Sequence, residues 1–483
     1  MSGPISRPTS STAATWLAAV VLLLLAACRA DSPPPAELAI VGATVVDVEA
    51  GELRSGRTIL VEGNRIVGVV PGETDVPEGA EVVDASGRYV VPGLWDAHVH
   101  SAASVSWHFP LLVAHGITSV RNMHTTVDTA LELTSAISRR ISSGQLLGPR
   151  FLANGPIIDG PPPAWPGAVT AATPEEGRAA VDSLASGGAD FIKVYDNLSP
   201  ETYRAIADEA RRHGIPVDGH VPFLVPPAEA AAAGQRTVEH TSGINLGCSA
   251  AADSLRKEFR GLLERMPSMG FPERPRAFFT LVLAAGDRRD PELCAGTARA
   301  YREHGVTAVP TLVVSTRGRA SELVADSSRM ALLPPPVRER WTGMARAGPG
   351  PLPEERSDVE WTAPKNTKLL HEAGVPILAG TDIGNPFLVP GRSLHDELEL
   401  LVVEAGLSPV EALRAATLQP ARTFGMADSL GTVAEGRLAD LVLLEENPLE
   451  DIRATASIAG VVLDGRFLDR AALDGLLARA AGQ

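Results

Sequence analysis

From residue 91 onward, strand-like apolar runs alternate with helical patterns, and few architectures accept such an alternation. A strand-helix-strand order calls for a parallel sheet, because parallel neighbours need a long crossover that a helix supplies. The clearest unit is DFIKVYDNLSPETYRAIADEARRHGIPVDGHV, where Ser199 reads as a helix N-cap, Pro200 as a first-turn residue and Gly214 as the stop. Eight candidate strands can be marked: GLWDAHVH, ITSVRNM, RFLAN, FIKVYD, PVDGH, TVEH, TAVPTL and PILAGTD. Eight such units close a TIM-type (β/α)8 barrel, whose chemistry sits at the C-terminal ends of the strands.

The flanks have a different texture. Residues 37–90 hold short β-branched runs between Gly, Asn and Asp turn signals, and similar runs return in LADLVLLEE and SIAGVVLDGRFLD. The α/β barrel is therefore expected over 91–429. A small β-sandwich built from both chain ends is expected over 37–90 and 430–483, the latter including a C-terminal tail. Two segments interrupt the alternation, a mainly helical one at 246–300 and a Pro- and Gly-rich one at 334–356. Both are expected over the barrel mouth as loops or a lid.

Residues 13–27, AATWLAAVVLLLLAA, are apolar but shorter than the ~20 residues a spanning helix needs. They read as part of a signal peptide over 1–28. Leu25-Ala26-Ala27-Cys28 resembles the lipobox of bacterial lipoproteins, in which the cysteine takes the lipid; the other reading is an ordinary small-residue cleavage site. Residues 29–36, RADSPPPA, read as a tether. The expectation is an exported, membrane-anchored lipoprotein facing the periplasm or the cell surface. In such a compartment Cys248 and Cys294 can pair as a disulfide or stay as two buried thiols. A formal charge of −15 with no basic stripe argues against a nucleic-acid partner. Homo-oligomerisation stays open.

Polar residues gather at the expected strand ends. In DAHVH, strand geometry sends His98 and His100 to one face, as two imidazoles converging on a metal would require. The later strands add Lys193, His220, His240 and Asp382 at the same end. A barrel has no packing reason to desolvate so many polar groups, whereas divalent cations would give one.

VVPGLWDAHVH, taken with Lys193, His220, His240 and Ala379-Gly380-Thr381-Asp382, resembles the amidohydrolase superfamily. The run EALRAATLQPARTFGMADSLGTVAEGRLADLVLLEENPLEDI resembles its imidazolonepropionase-like and prolidase-like branch. The resemblance implies a binuclear centre, with zinc as the expected metal. His98, His100 and Asp382 would hold one ion, His220 and His240 the other, and Lys193 would bridge both as N6-carboxylysine. A carbamate offers anionic oxygens where an ammonium would repel two dications.

The implied reaction is cleavage of an amide-type C–N bond in a small molecule, a dipeptide or an N-acyl amino acid, by a metal-bridging hydroxide. Asp382 would pass the proton from water to the leaving amine. The alternatives are a phosphotriesterase or lactonase on the same centre, and a non-catalytic surface lipoprotein that keeps the barrel as a scaffold.

Tyr195, on the face of Lys193, could stabilise the oxyanion, bind a substrate carboxylate, or simply pack in the rim. His124 would line the pocket or face solvent, and His395, after the last strand, could reach the mouth. Asp96 is expected to support the ligands from below. His115, His213, His304 and His371 read as helix-end residues.

Overall fold

β-branched side chains favour extended backbone, and the first such region folds as β1 (Leu38–Asp47), β2 (Glu52–Glu62), β3 (Arg65–Pro71), β4 (Glu81–Asp84) and β5 (Tyr89–Pro92). The computed structural model describes residues 1, 3, 34–72, 74–126, 129–270, 273–314, 320–347 and 355–482. The expected signal segment, Cys28 within it, and residues 29–33 of the tether lie outside the described residues, residues 1 and 3 excepted. β1 pairs antiparallel with β2 and β2 with β3, while β4 and β5 run parallel to β1.

The alternating region supplies β6 (Leu94–Val99), β7 (Ile117–Asn122), β8 (Arg150–Ala153), β9 (Ile158–Asp159), β10 (Val169–Thr170), β11 (Ile192–Val194), β12 (Val217–Gly219), β13 (Gln235–Glu239) and β14 (Thr307–Val309). β6, β7 and β8 are parallel neighbours, and β11 to β14 form a second parallel series. β6 and β7 are buried at every position, as strands covered on both faces must be. The short pair β9 and β10 has no counterpart among the expected strands.

Seven of the eight expected segments overlap one of these strands; PILAGTD is instead held by isolated bridges. Ile377 pairs in parallel with Ala308 of β14, and Ile383 with Val99 of β6. The Ala97 N–H donates to the Ala379 carbonyl at 2.9 Å, and the Asp382 N–H to the His98 carbonyl at 2.7 Å. Residues 376–383 thus lie between the last and the first of the parallel strands.

Helices join these strands where the capping signals place them. In Pro200–His213, Ser199 Oγ accepts the Thr202 N–H at 3.1 Å, and Gly214 closes the helix at φ 67°. That cap contributes about 1 kcal/mol. Tyr203, Ile206 and Ala210 on its inner face are buried in the central core.

The insertions pack over the loops that follow the strands. Ala252–Arg265, Glu273–Gly286 and Pro291–Glu303 are long helices, and Phe259 and Leu262 of the first cluster with Phe223 and Leu224 after β12. Cys248 and Cys294 are joined by a disulfide that ties this insertion together. The 334–356 segment differs from the expected loop: prolines at its start suit a first helical turn, and Pro335–Arg346 is a helix. Its Trp341 packs with Phe387 and Val389 just beyond Asp382.

At the far end lie β15 (Leu441–Leu444), β16 (Ile458–Leu463) and β17 (Arg466–Leu468). β15 pairs antiparallel with both β5 and β16. The two chain ends therefore build one unit together, as expected, sharing a hydrogen-bonded sheet of eight strands around a common apolar core. The tail is a helix, Arg470–Ala480, packed on the helix Val105–Ala114.

Candidate metal centre and its supports

β6 ends in the H-x-H pair, and the loop carrying Asp382 lies against it through the backbone bonds just described. Asp382 Oδ1 lies 2.9 Å from His100 Nε2 and 3.4 Å from His98 Nε2. Among the described residues, these three offer ligand atoms within 4.8 Å of one another. A Cβ on Gly384, at φ +110°, would fall 2.6 Å from the His100 Cβ, so only glycine permits this approach.

His220 follows β12 and His240 follows β13. The ring centroids of His98 and His240 are 4.6 Å apart, and those of His240 and His220 are 5.0 Å apart. His240 and Asp382 both take left-handed backbone, at φ 55° and 61°. Such conformations cost about 1–3 kcal/mol each in non-glycine residues and persist where the surroundings fix them.

All four imidazoles are tied through Nδ1. His98 Nδ1 lies 2.7 Å from Glu239 Oε2, His100 Nδ1 3.2 Å from the His124 carbonyl, His220 Nδ1 2.9 Å from Asp196 Oδ1, and His240 Nδ1 2.6 Å from Thr311 Oγ1. This leaves Nε2 as the nitrogen each ring can give to a metal. The Nε2 atoms of His98 and His220 are buried with no hydrogen-bond partner. Orphaned ring nitrogens at converging positions fit a metal's need for lone pairs.

The protonation states agree with that use. Burial, with Lys193 next, pushes the His98 pKa well below its ordinary value, and burial lowers that of His240 to about 3. Both rings are therefore neutral. Burial opposes ionisation of Asp382, yet the His100 hydrogen bond and the neighbouring imidazoles hold its carboxyl far below the usual carboxylate range. Lys193 sits in β11 at 2 % exposure, and burial brings its pKa down to about 8 against the pull of Glu239 and Asp382.

Of the other expected residues, Tyr195 lies with its ring 4.0 Å from that of His220. Burial, with Asp196 next, raises the phenol pKa well above its ordinary value, so it keeps its proton. His124 is buried with its ring 6.4 Å from that of His100, and its Nε2 lies 3.2 Å from the Pro166 carbonyl. Asp96 lies beneath the ligands as expected: it accepts the His98 N–H at 3.2 Å and the Thr381 N–H at 3.0 Å, and burial raises its pKa to about 7.

His395 needs correction. Its ring is buried away from the centre, with Nδ1 3.0 Å from Thr455 Oγ1 and Nε2 3.1 Å from the His115 carbonyl. Both nitrogens are thus spent on the packing of its helix, and none is left for a substrate. His115, His213, His304 and His371 lie at helix C-termini, as read.

Several supports were not singled out in the sequence. Arg121 is wholly buried in β7, pairing with Asp218 at 2.9 Å and Glu239 at 2.8 Å. A charged residue in the otherwise buried run of SVRNM is the signal that could have found it. Asp196 and Glu239 adjoin residues that were chosen, but strand alternation alone sends them to the opposite face. A further carboxylate-histidine group, Asp182, Glu209 and His213, lies on the outer helices, where Arg212 pairs with both acids.

The Amidohydrolase family model matches residues 89–468. Adenine deaminase 2 of Agrobacterium fabrum is 28% identical over 89% of this chain, which spans 58% of that relative's length. Among solved structures, a candidate prolidase from Bifidobacterium longum is 28% identical with a TM-score of 0.67, covering 92% of this chain and 100% of that one. Bottromycin amidohydrolase is 28% identical with a TM-score of 0.70, covering 95% and 93%.

Proposed function

Because the chain belongs to the amidohydrolase family, we propose that it is a metal-dependent hydrolase of amide-type C–N bonds, with a dipeptide or an N-acyl amino acid as substrate. The observation that carries this reading is the set of four imidazoles held through Nδ1, two of them with buried and unpartnered Nε2 atoms. Two similar proteins support the bond type, one being called a candidate prolidase and the other an amidohydrolase. The parallel strands and their bridged eighth segment support a TIM-type barrel as the scaffold.

In this reading His98, His100 and Asp382 would hold one divalent ion and His220 and His240 the other, zinc being the expected metal. Lys193, carried as N6-carboxylysine, would supply them with anionic oxygens. Its lowered pKa leaves a share of neutral amine near neutral pH, and the Nζ lone pair of that amine adds to the carbon of carbon dioxide with loss of one proton. Bound there, the two ions would supply positive charge that polarises the substrate carbonyl and acidifies a water.

The chain's own groups then move the proton. Asp382 is ionised and accepts a proton as the water oxygen bonds to the carbonyl carbon. It returns that proton to the amide nitrogen as the C–N bond breaks, releasing a carboxylic acid and an amine. Tyr195, which keeps its phenolic proton, donates a hydrogen bond to the oxyanion or to the substrate carboxylate. The reading extends to export as a lipoprotein, with residues 1–28 as signal, Cys28 as the lipidated residue and 29–36 as tether.

Metal analysis of the purified protein, followed by assay of the zinc-loaded form on dipeptides, N-acyl amino acids, lactones and phosphotriesters, tests this. Two bound ions and turnover of amides are expected. Turnover confined to lactones or phosphotriesters would replace the substrate class. No bound metal and no turnover would leave a scaffold lipoprotein.

A further inference from the structure

Between β9 and β10 the chain crosses the rim as a strap braced at several points. Asp159 accepts the Gly160 and Asn197 N–H groups at 2.8 Å each and the Ala164 N–H at 2.9 Å, and Asn197 Nδ2 donates to the Pro162 carbonyl at 2.7 Å. On one side of the mouth, Trp165 Nε1 donates to Tyr195 Oη at 2.8 Å. On the other, the Pro166 carbonyl lies 3.2 Å from His124 Nε2. A segment held this way keeps its side chains in place. Yet the Trp165 indole is 45% exposed, although large apolar side chains are ordinarily buried.

We propose that Trp165 determines specificity: its exposed indole is the wall against which an apolar side chain of the substrate's amino-acid half packs. This rests on the amidohydrolase reading above and names the substrate more narrowly. The Tyr195 oxygen already accepts from the indole, so the phenol's own hydrogen is the one left to donate. A substrate carboxylate taking that hydrogen carries its α-carbon, and with it the side chain, alongside Trp165. Aromatic and branched apolar residues gain the most from such a face. The same N–H holds the phenol in place, so Trp165 also positions Tyr195.

The test is a binding ratio that needs no turnover. Calorimetric titration with the uncleavable amines N-ethyl-L-phenylalanine and N-ethyl-L-alanine is run on the zinc-loaded protein and on Trp165→Ala and Trp165→Phe. The unsubstituted protein is expected to bind the phenylalanine compound about 5–10-fold tighter. Trp165→Ala should bring the ratio below about twofold, while Trp165→Phe should keep most of the ratio and weaken both ligands through loss of the bond to Tyr195. A ratio near one in the unsubstituted protein, no binding of either compound, or an unchanged ratio in Trp165→Ala would overturn the assignment. Failure to hydrolyse any amide would count against the proposed function and leave the ratio readable.

Discussion

Glu239 Oε2 lies 2.7 Å from Nδ1 of His98, both side chains being sealed from solvent. Its other oxygen, Oε1, lies 2.8 Å from Arg121 Nη2, so one carboxylate joins a ligand ring to a buried cation. The imidazole cannot rotate without breaking that bond, and its Nε2 stays aimed at the centre.

Glu239→Gln keeps the shape and removes the charge. Zinc affinity, measured by competition with a chelator, is expected to fall about 10–100-fold. Unchanged affinity would count against His98 as a ligand.

Asp382→Asn is expected to retain most of the metal and to lower kcat by about 10²–10⁴. Atomic absorption together with steady-state kinetics checks both halves. Near-normal kcat would remove Asp382 from its role as proton carrier.

Lys193→Ala deletes the site of the carbamate. Activity should be lost, and short carboxylic acids such as acetate or propionate should restore part of it by supplying a bridging anion. Full activity without additive would refute the bridge.

His395, misplaced by sequence reading, gives a prediction about stability. Burial holds its pKa at about 3, against 6.5 for the free side chain. The unfolded chain therefore binds more protons between those values, and the contribution to stability present above pH 6.5 is lost as pH falls towards 3. The Tm of the unsubstituted protein should fall more steeply between pH 6.5 and 4 than that of His395→Gln. Parallel profiles would mean that the ring is not held neutral.

The disulfide closes a loop of 46 residues, for which chain entropy gives about 4 kcal/mol. Cys294→Ser should lower stability by roughly 2–5 kcal/mol in denaturant titration and free one thiol. An unchanged midpoint would show that packing alone holds the insertion.

The alternation of strand and helix, with caps at Ser199 and Gly214, made the parallel strands legible because those signals are local. The six candidate ligands were legible because strand ends can be placed without knowing what lies between them. Glu239, Thr311 and Asp196 were not, since their value lies in pairing across strands far apart in sequence. His395 misled because its position beyond the last strand says nothing about which way its helix turns it. That both chain ends build one β unit was legible from their like texture, but the pairing of β5 with β15 was not, because it joins residues far apart in sequence.

His98 and Asp382 meet only through the bridges that set residues 376–383 between β14 and β6. During synthesis, which runs from the N-terminus at about 5–20 residues per second, the histidine pair emerges long before its aspartate partner. The candidate ligand group is incomplete until residues 376–383 take their place between β14 and β6. In the proposed metal centre, truncation before residue 382 would therefore remove the carboxylate that completes the His98, His100 and Asp382 group.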